Sequence, residues 1–365
     1  KAFYWYQKAA ENGNEVAMNS LAICYDNGEG TGEDLEKAFY WYQKAAENGN
    51  EVAMNNLAIC YDSGEGTEKN LEKAFYWYQK AAEKGHIKAM NNLANSYYNG
   101  EGTEKDLEKA FYWHQKAAEN GNEVAMNSLG ICYYNGKGTE KNLEKAIYWF
   151  QKAAENCNEV AMNNLAICYD NGEGTEKNLE KAFYWYQKAA EKGHIDAMSN
   201  LAKGWDMGWD GIGDSPIPFN MEKAFYWYQK AAENDNEIAM NNLAICYYNG
   251  EGIEKNLEKA FYWYQKAAEN GNEDAMNSLA ICYDNGEGIE KNLEKAFYWY
   301  QKAAENGDKE ALFNLGVCYE EGIGIEKDEV VASYWYQEAA QQGFSNAQYK
   351  LGFLYKIGKE VEKDL

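Results

Sequence analysis

The amino-acid sequence predicts an all-α fold, a solenoid of about ten antiparallel helix pairs. Three observations carry that prediction. Tryptophan recurs as Trp5, Trp41, Trp77, Trp113, Trp149, Trp185, Trp227, Trp263, Trp299 and Trp335, and every interval is 36 residues except one of 42 between Trp185 and Trp227. Each unit contains two apolar stripes of helical period, separated by glycine. No segment alternates polar and apolar residues with period two, so no sheet is expected.

One unit runs from Glu36 to Leu71 as EKAFYWYQKAAENGNEVAMNNLAICYDSGEGTEKNL. Asn or Asp stands just before each first helix, from Asp34 and Asn70 to Asp328 and Asp364. A short side-chain acceptor there satisfies the orphan amides of a helix N-terminus. The first helix is expected from about Leu71 to Lys84 in the third unit. Gly85 ends it, because glycine takes the left-handed C-cap conformation at little cost. The second helix is expected from about Glu51 to Asp62, with Gly64 and Gly66 in the return loop.

The helical wheel assigns faces. Ala38, Trp41, Tyr42 and Ala45 form one side of the first helix, with Phe39 and Ala46 at its edge. On this reading Trp185 is a buried ring whose loss would cost about 3–5 kcal/mol. In the second helix Ala53, Leu57, Cys60 and Tyr61 form the centre. Met54 and Ala58 flank it on one side, Val52 and Ile59 on the other. A helix apolar almost all round must be covered on two sides, which stacking on the next repeat supplies. Asn55 falls on the polar side, where it could add hydrogen bonds, and Asn56 is expected to bond backbone.

The composition closes off several functions. The 365 residues carry 35 basic groups, every one a lysine, against 59 acidic ones, for a net charge of −24. The unit above has six acids and three lysines, so the charge belongs to the repeat and not to a tail. A nucleic-acid partner needs the opposite sign. No apolar run approaches the ~20 residues that cross a bilayer. With 45% hydrophobic and 15% aromatic residues the chain is expected to fold.

The run AFYWYQKAAENGNEVAMNNLAICYDNGEGTEKNLEKA resembles the Sel-1-like repeats, relatives of the tetratricopeptide repeat. The matching residues are Ala38, Trp41, Tyr42, Ala45, Ala46, Gly49, Ala53, Asn56, Leu57, Tyr61, Gly64 and Gly66. Ala58 stands where that family usually has glycine, and Gly130, Gly316 and Gly352 restore it. The resemblance covers essentially the whole chain. It implies a right-handed α/α superhelix that presents a surface to other proteins and is not itself catalytic. The expected organisation is one array over residues 1–365 with a six-residue insertion within 203–220. Because Lys1 falls inside a first helix, the chain reads as a segment of a longer protein.

No residue pattern points to catalysis, a metal or a cofactor. Cys24, Cys60, Cys132, Cys168, Cys246, Cys282 and Cys318 share one buried second-helix position, too far apart for disulfides. Disulfide-stapled bacterial relatives carry a cysteine pair in each repeat, and this chain has one. A reducing, cytoplasmic location follows. Cys157 replaces a helix-ending glycine and should be exposed. His86 and His194 are equivalent positions three repeats apart, and His114 replaces a core-facing tyrosine. None has metal-ligand spacing. Phosphate-loop, nucleophile-elbow and S-x-x-K motifs are absent.

The candidate partner-binding residues are a tyrosine row: Tyr40, Tyr76, Tyr112, Tyr148, Tyr184, Tyr226, Tyr262 and Tyr298. On the wheel Tyr40 points among Glu36, Gln43, Lys44 and Glu47, away from the apolar stripe. In tetratricopeptide-like arrays first helices line the concave face, where half-exposed tyrosines suit peptide recognition. The competing reading is that the rings lie on adjacent first helices and thicken the packing. Trp205 and Trp209, in the segment KGWDMGWDGIGDSPIPFN, are the second candidate, as a contact loop or as a tolerated insertion. Lys203 and Gly204 there are expected to fray the helix.

The expected function is a non-catalytic scaffold for a protein or peptide partner, neutral or basic in charge, along the concave face. Two alternatives stand beside it: the recruiting part of a longer enzyme such as a protein kinase, and an adaptor in protein quality control of the endoplasmic reticulum type.

Overall fold

The structure, a computed structural model, describes residues 1–208 and 218–356. Among them are twenty α-helices and no strand. The chain groups into two compact units, Lys1–Asn178 and Leu179–Leu365. The first holds α1 (Ala2–Glu11), α2 (Glu15–Asn27), α3 (Leu35–Glu47), α4 (Glu51–Ser63), α5 (Leu71–Glu83), α6 (Ile87–Asn99), α7 (Leu107–Glu119), α8 (Glu123–Asn135), α9 (Leu143–Glu155) and α10 (Glu159–Asn171). The second holds α11 (Leu179–Glu191), α12 (Ile195–Met207), α13 (Met221–Ala232), α14 (Glu237–Asn249), α15 (Leu257–Glu269), α16 (Glu273–Asn285), α17 (Leu293–Glu305), α18 (Lys309–Glu321), α19 (Glu329–Gln341) and α20 (Ser345–Lys356). Within each unit every helix packs on its neighbours in chain order, so the units are stacks of antiparallel helix pairs.

The helix limits follow from local chemistry. Asn70 accepts from the Lys73 amide at 2.9 Å and starts α5. Asn50 accepts from the Ala53 amide at 2.8 Å and starts α4. His86 does the same work for α6 through Nδ1, 3.2 Å from the Ala89 amide, and His194 does it for α12. Neutral imidazole is thus a helix cap here, a role the sequence reading did not assign. The return loop closes when the Asn70 amide reaches the Tyr61 carbonyl at 2.7 Å. Phe39 meets Tyr61 edge-to-face at 5.3 Å, tying the start of α3 to the end of α4. Gly66, at φ +68°, sits so close to α3 that a Cβ would overlap the Leu35 carbonyl oxygen.

The turn glycine after each first helix has a positive φ, as at Gly49 (93°) and Gly121 (90°). Two units break the pattern. Among the described residues, Cys157 (φ 68°) and Asp235 (φ 63°) are the non-glycine residues held at positive φ, and both are exposed. The left-handed conformation costs an L-residue about 1 kcal/mol. Cys157→Gly and Asp235→Gly should therefore each stabilise the fold by about that amount. Thermal melts would check this, and a lowered midpoint in either variant would contradict it.

Burial corrects the wheel in three places. The deeply buried first-helix aromatic is Tyr42, at 3% exposure, while Trp41 is only half-buried. The Tyr42 hydroxyl donates to Asp26 at 3.1 Å, on the preceding second helix. Tyr78–Asp62, Tyr228–Asp206 and Tyr336–Glu320 repeat this stitch. The same holds at Trp185, which is half-buried where Tyr186 is buried. Second, Val52 and Ile59 remain partly exposed, so one flank of the second helix faces solvent. That explains why Lys203, at the Ile59 position, does not fray its helix: α12 continues to Met207. Third, Asn55 is 4% exposed, because the next second helix covers it.

Those asparagines form a ladder between consecutive second helices. Asn92 donates to Asn55 at 3.2 Å, Asn164 to Asn127 at 3.0 Å, and Asn314 to Asn277 at 3.2 Å. Asn56 thus bonds Asn19, at 3.4 Å, and not the backbone. Ser128 interrupts one rung, and the buried Oδ1 of Asn91 has no partner there. Ser128→Asn should complete the rung and add about 1 kcal/mol. A denaturant midpoint unchanged or lowered by that variant would count against it.

Candidate partner-binding surface

The tyrosine row is the most regular exposed feature of the chain. Tyr40 is 50% exposed, and Tyr76, Tyr112, Tyr148, Tyr184, Tyr226, Tyr262 and Tyr298 lie within a few per cent of it. Helical geometry places the row: Tyr40 falls between the buried Ala38 and Tyr42, on the turn of the helix that faces away from both. Each ring is held by its own repeat. The Tyr40 ring meets Trp41 edge-to-face at 5.2 Å, and Lys44 Nζ lies 5.7 Å from its centroid. The Tyr112 ring has the same neighbours, with Lys116 at 4.9 Å. Tyr262 and Tyr298 keep the tryptophan partner at 5.1 and 5.2 Å. One turn on, Gln43 donates to Glu47 at 2.9 Å.

In each repeat the arrangement is an aromatic edge, with a lysine over the ring at Tyr40, Tyr76, Tyr112, Tyr148, Tyr184 and Tyr226. Among the described residues no hydrogen bond occupies the hydroxyls of Tyr40, Tyr76 or Tyr112, so each keeps a free polar tip. Such a group offers apolar area at low entropic cost and a hydrogen bond at its end.

Trp205 is placed differently. It is half-buried in α12 and meets Phe183 edge-to-face at 4.9 Å. Lys223 Nζ lies 4.1 Å from its ring. It therefore occupies the position that Tyr61 fills beside Phe39 and Lys73. The Asn220 amide reaches the Trp205 carbonyl at 2.9 Å, the bond that the Asn70 amide makes to the Tyr61 carbonyl. Trp209 lies outside the described residues.

All but one of the thiols are sequestered. Seven cysteines are buried and Cys157 is exposed. Burial pushes the Cys60, Cys168, Cys246, Cys282 and Cys318 thiols up to about 12, which removes the nucleophilic thiolate at neutral pH. Among the described residues no group of His, Cys, Asp or Glu is arranged to hold a metal ion. No described helix is long and apolar enough to cross a membrane.

The sequence profile of the Sel1 repeat family matches this chain in eleven segments from residues 1–14 to 345–365, among them 16–50, 52–86, 87–122 and 195–236. Among solved structures, the chain is similar to c5321, a protective antigen of uropathogenic Escherichia coli with an SLR fold. Identity is 35% over 99% of this chain and 76% of that one, with a TM-score of 0.84. A Sel1 repeat protein from Oxalobacter formigenes is 31% identical, covering 68% of this chain and 96% of that one, with a TM-score of 0.60. A tetratricopeptide-repeat sensor protein of the STAND class from Pyrococcus horikoshii shares the fold alone, at 18% identity over 94% of this chain and 53% of that one, with a TM-score of 0.51. No curated protein gives a significant match.

Proposed function

The chain belongs to the Sel1 repeat family, whose members generally serve as non-catalytic protein–protein interaction scaffolds, and from that premise we propose that it binds a protein or peptide partner along its tyrosine row. The carrying observation is that Tyr40 and its equivalents stay half exposed while each is braced by a tryptophan and, in most repeats, a lysine. A side chain fixed before binding loses little entropy when a partner arrives. The row lies on the first helices, the concave side of the expected superhelix. The partner is a neutral or basic segment, since a net charge of −24 repels acidic ones and steers basic ones in. The single-cysteine repeat and its unpaired thiols fit a reducing, cytoplasmic setting.

The test is affinity capture with the intact chain beside a variant carrying Tyr76→Ala, Tyr112→Ala, Tyr148→Ala and Tyr184→Ala. Circular dichroism should show an unchanged helix content, because these rings are outside the core. The captured partner, once identified, should bind the variant at least about tenfold more weakly. Undiminished affinity in the folded variant would remove the tyrosine row from the binding surface.

A further inference from the structure

The second helices carry a different feature in one repeat of the first unit. A cavity of about 220 Å³ opens between α8 and α10, over α9. Its walls are Ile131, Tyr134, Phe150, Ile167 and Cys168, with Asn135 and Asn164 at the rim. In several other repeats the same place is filled by a polar pair, as where Tyr78 bonds Asp62 and Tyr228 bonds Asp206; opposite Tyr98 and Tyr248, which also replace the acid, the first helix keeps a polar ring, His114 and Tyr264. Here Phe150 stands for the tyrosine and Tyr134 for the acid. The hydroxyl is gone, and the Tyr134 hydroxyl turns outward to donate to Glu173. The two changes together convert a filled polar seam into an open apolar slot.

We propose that this slot is a docking pocket for one large aliphatic or aromatic side chain of a basic protein segment. It is a surface separate from the tyrosine row and stands without it. The walls offer carbon and sulfur on every side, and the volume suits a side chain of leucine to phenylalanine size. The rim can bond a peptide backbone: the Asn135 amide bonds nothing else, and Asn164 uses only its NH₂ group, on Asn127. Charge selects the flanks. Glu173 borders Tyr134, and Asp170 lies three residues from Ile167 on the same helix surface. Both α8 and α10 end beside the slot, which adds the negative ends of two helix dipoles. Of the lysines of the neighbouring loop, Lys137 is drawn away to the Tyr98 hydroxyl at 2.6 Å, and Lys141 lies over the Tyr134 ring, so the two acids and the helix ends are offset at the slot by one lysine.

The probe is the peptide acetyl-Lys-Lys-X-Lys-Lys-amide with X as 4-fluorophenylalanine, followed by fluorine NMR against the full chain. Saturable binding is expected at about 0.1–1 mM. The X = Leu peptide should compete, and the X = Ala peptide should be about tenfold or more weaker. The pocket-closing variant combines Tyr134→Asp with Phe150→Tyr. It rebuilds the pair already present at Asp62 and Tyr78, so it should fold, and it should abolish the binding. Equal competition by the alanine peptide, unchanged binding to the closed variant, or no saturation at several millimolar would each overturn the proposal. Replacing the peptide lysines by glutamine should weaken binding, and undiminished affinity would overturn the basic part of the assignment.

Discussion

Tyr228→Ala is expected to cost about 3–5 kcal/mol and to divide thermal unfolding of the second unit into two transitions. Tyr228 is 1% exposed, and its hydroxyl bonds Asp206 at 3.1 Å. Truncation leaves a large cavity between α12 and α13 and strips Asp206 of its donor. In a stack where each hairpin touches only its neighbours, one weakened interface uncouples what lies on either side. Trp227→Ala is the control. That ring is half-buried, so its loss should cost roughly half as much and leave one transition. Calorimetry of the two variants decides the matter. Equal costs would return the buried-anchor role to the tryptophans, as the helical wheel alone suggests.

Acidification should destabilise the chain through His114, and the loss should vanish in His114→Phe. His114 occupies the Tyr42 position at 2% exposure, and its Nδ1 has no partner. Burial alone lowers its pKa to about 4, since no carboxylate lies near enough to favour the imidazolium. Tyr98 stands where Asp26 faces Tyr42, and the Tyr98 hydroxyl accepts from Lys137. The native state therefore holds the neutral ring while the unfolded chain takes up a proton near pH 6.5. The stability is fully present above pH 6.5 and is lost as pH falls toward 4, by about 3 kcal/mol. Melting the wild type and His114→Phe from pH 7 to pH 4 would check it. The gap between their midpoints should widen as pH falls, and parallel curves would contradict the assignment. The variant is conservative because Phe150 with Tyr134 already makes the same pair.

Much of this molecule can be read from short stretches of chain. The 36-residue period, both helices of each pair, the Asn and Asp caps and the turn glycines all depend on residues within a few positions of one another. The same is true of the half-exposed Tyr40 row, whose angle on the helix follows from Ala38 and Tyr42 beside it. Trp41 and Tyr42 mark the boundary of that method. They are 100° apart on one stripe, and the wheel cannot say which of them the preceding helix will cover.

The sequence by itself determined the local terms: where helices begin and end, which face is apolar, and that hairpins must stack to bury it. Only the tertiary structure decided which side chains meet across hairpins. Tyr42 reaches Asp26, Asn92 reaches Asn55, and Phe150 leaves a slot beneath Tyr134, through contacts between residues 16 to 37 positions apart. Hydrogen bonds and burial at that range are set by how one hairpin lies against the next. No helical period within a single hairpin contains that information.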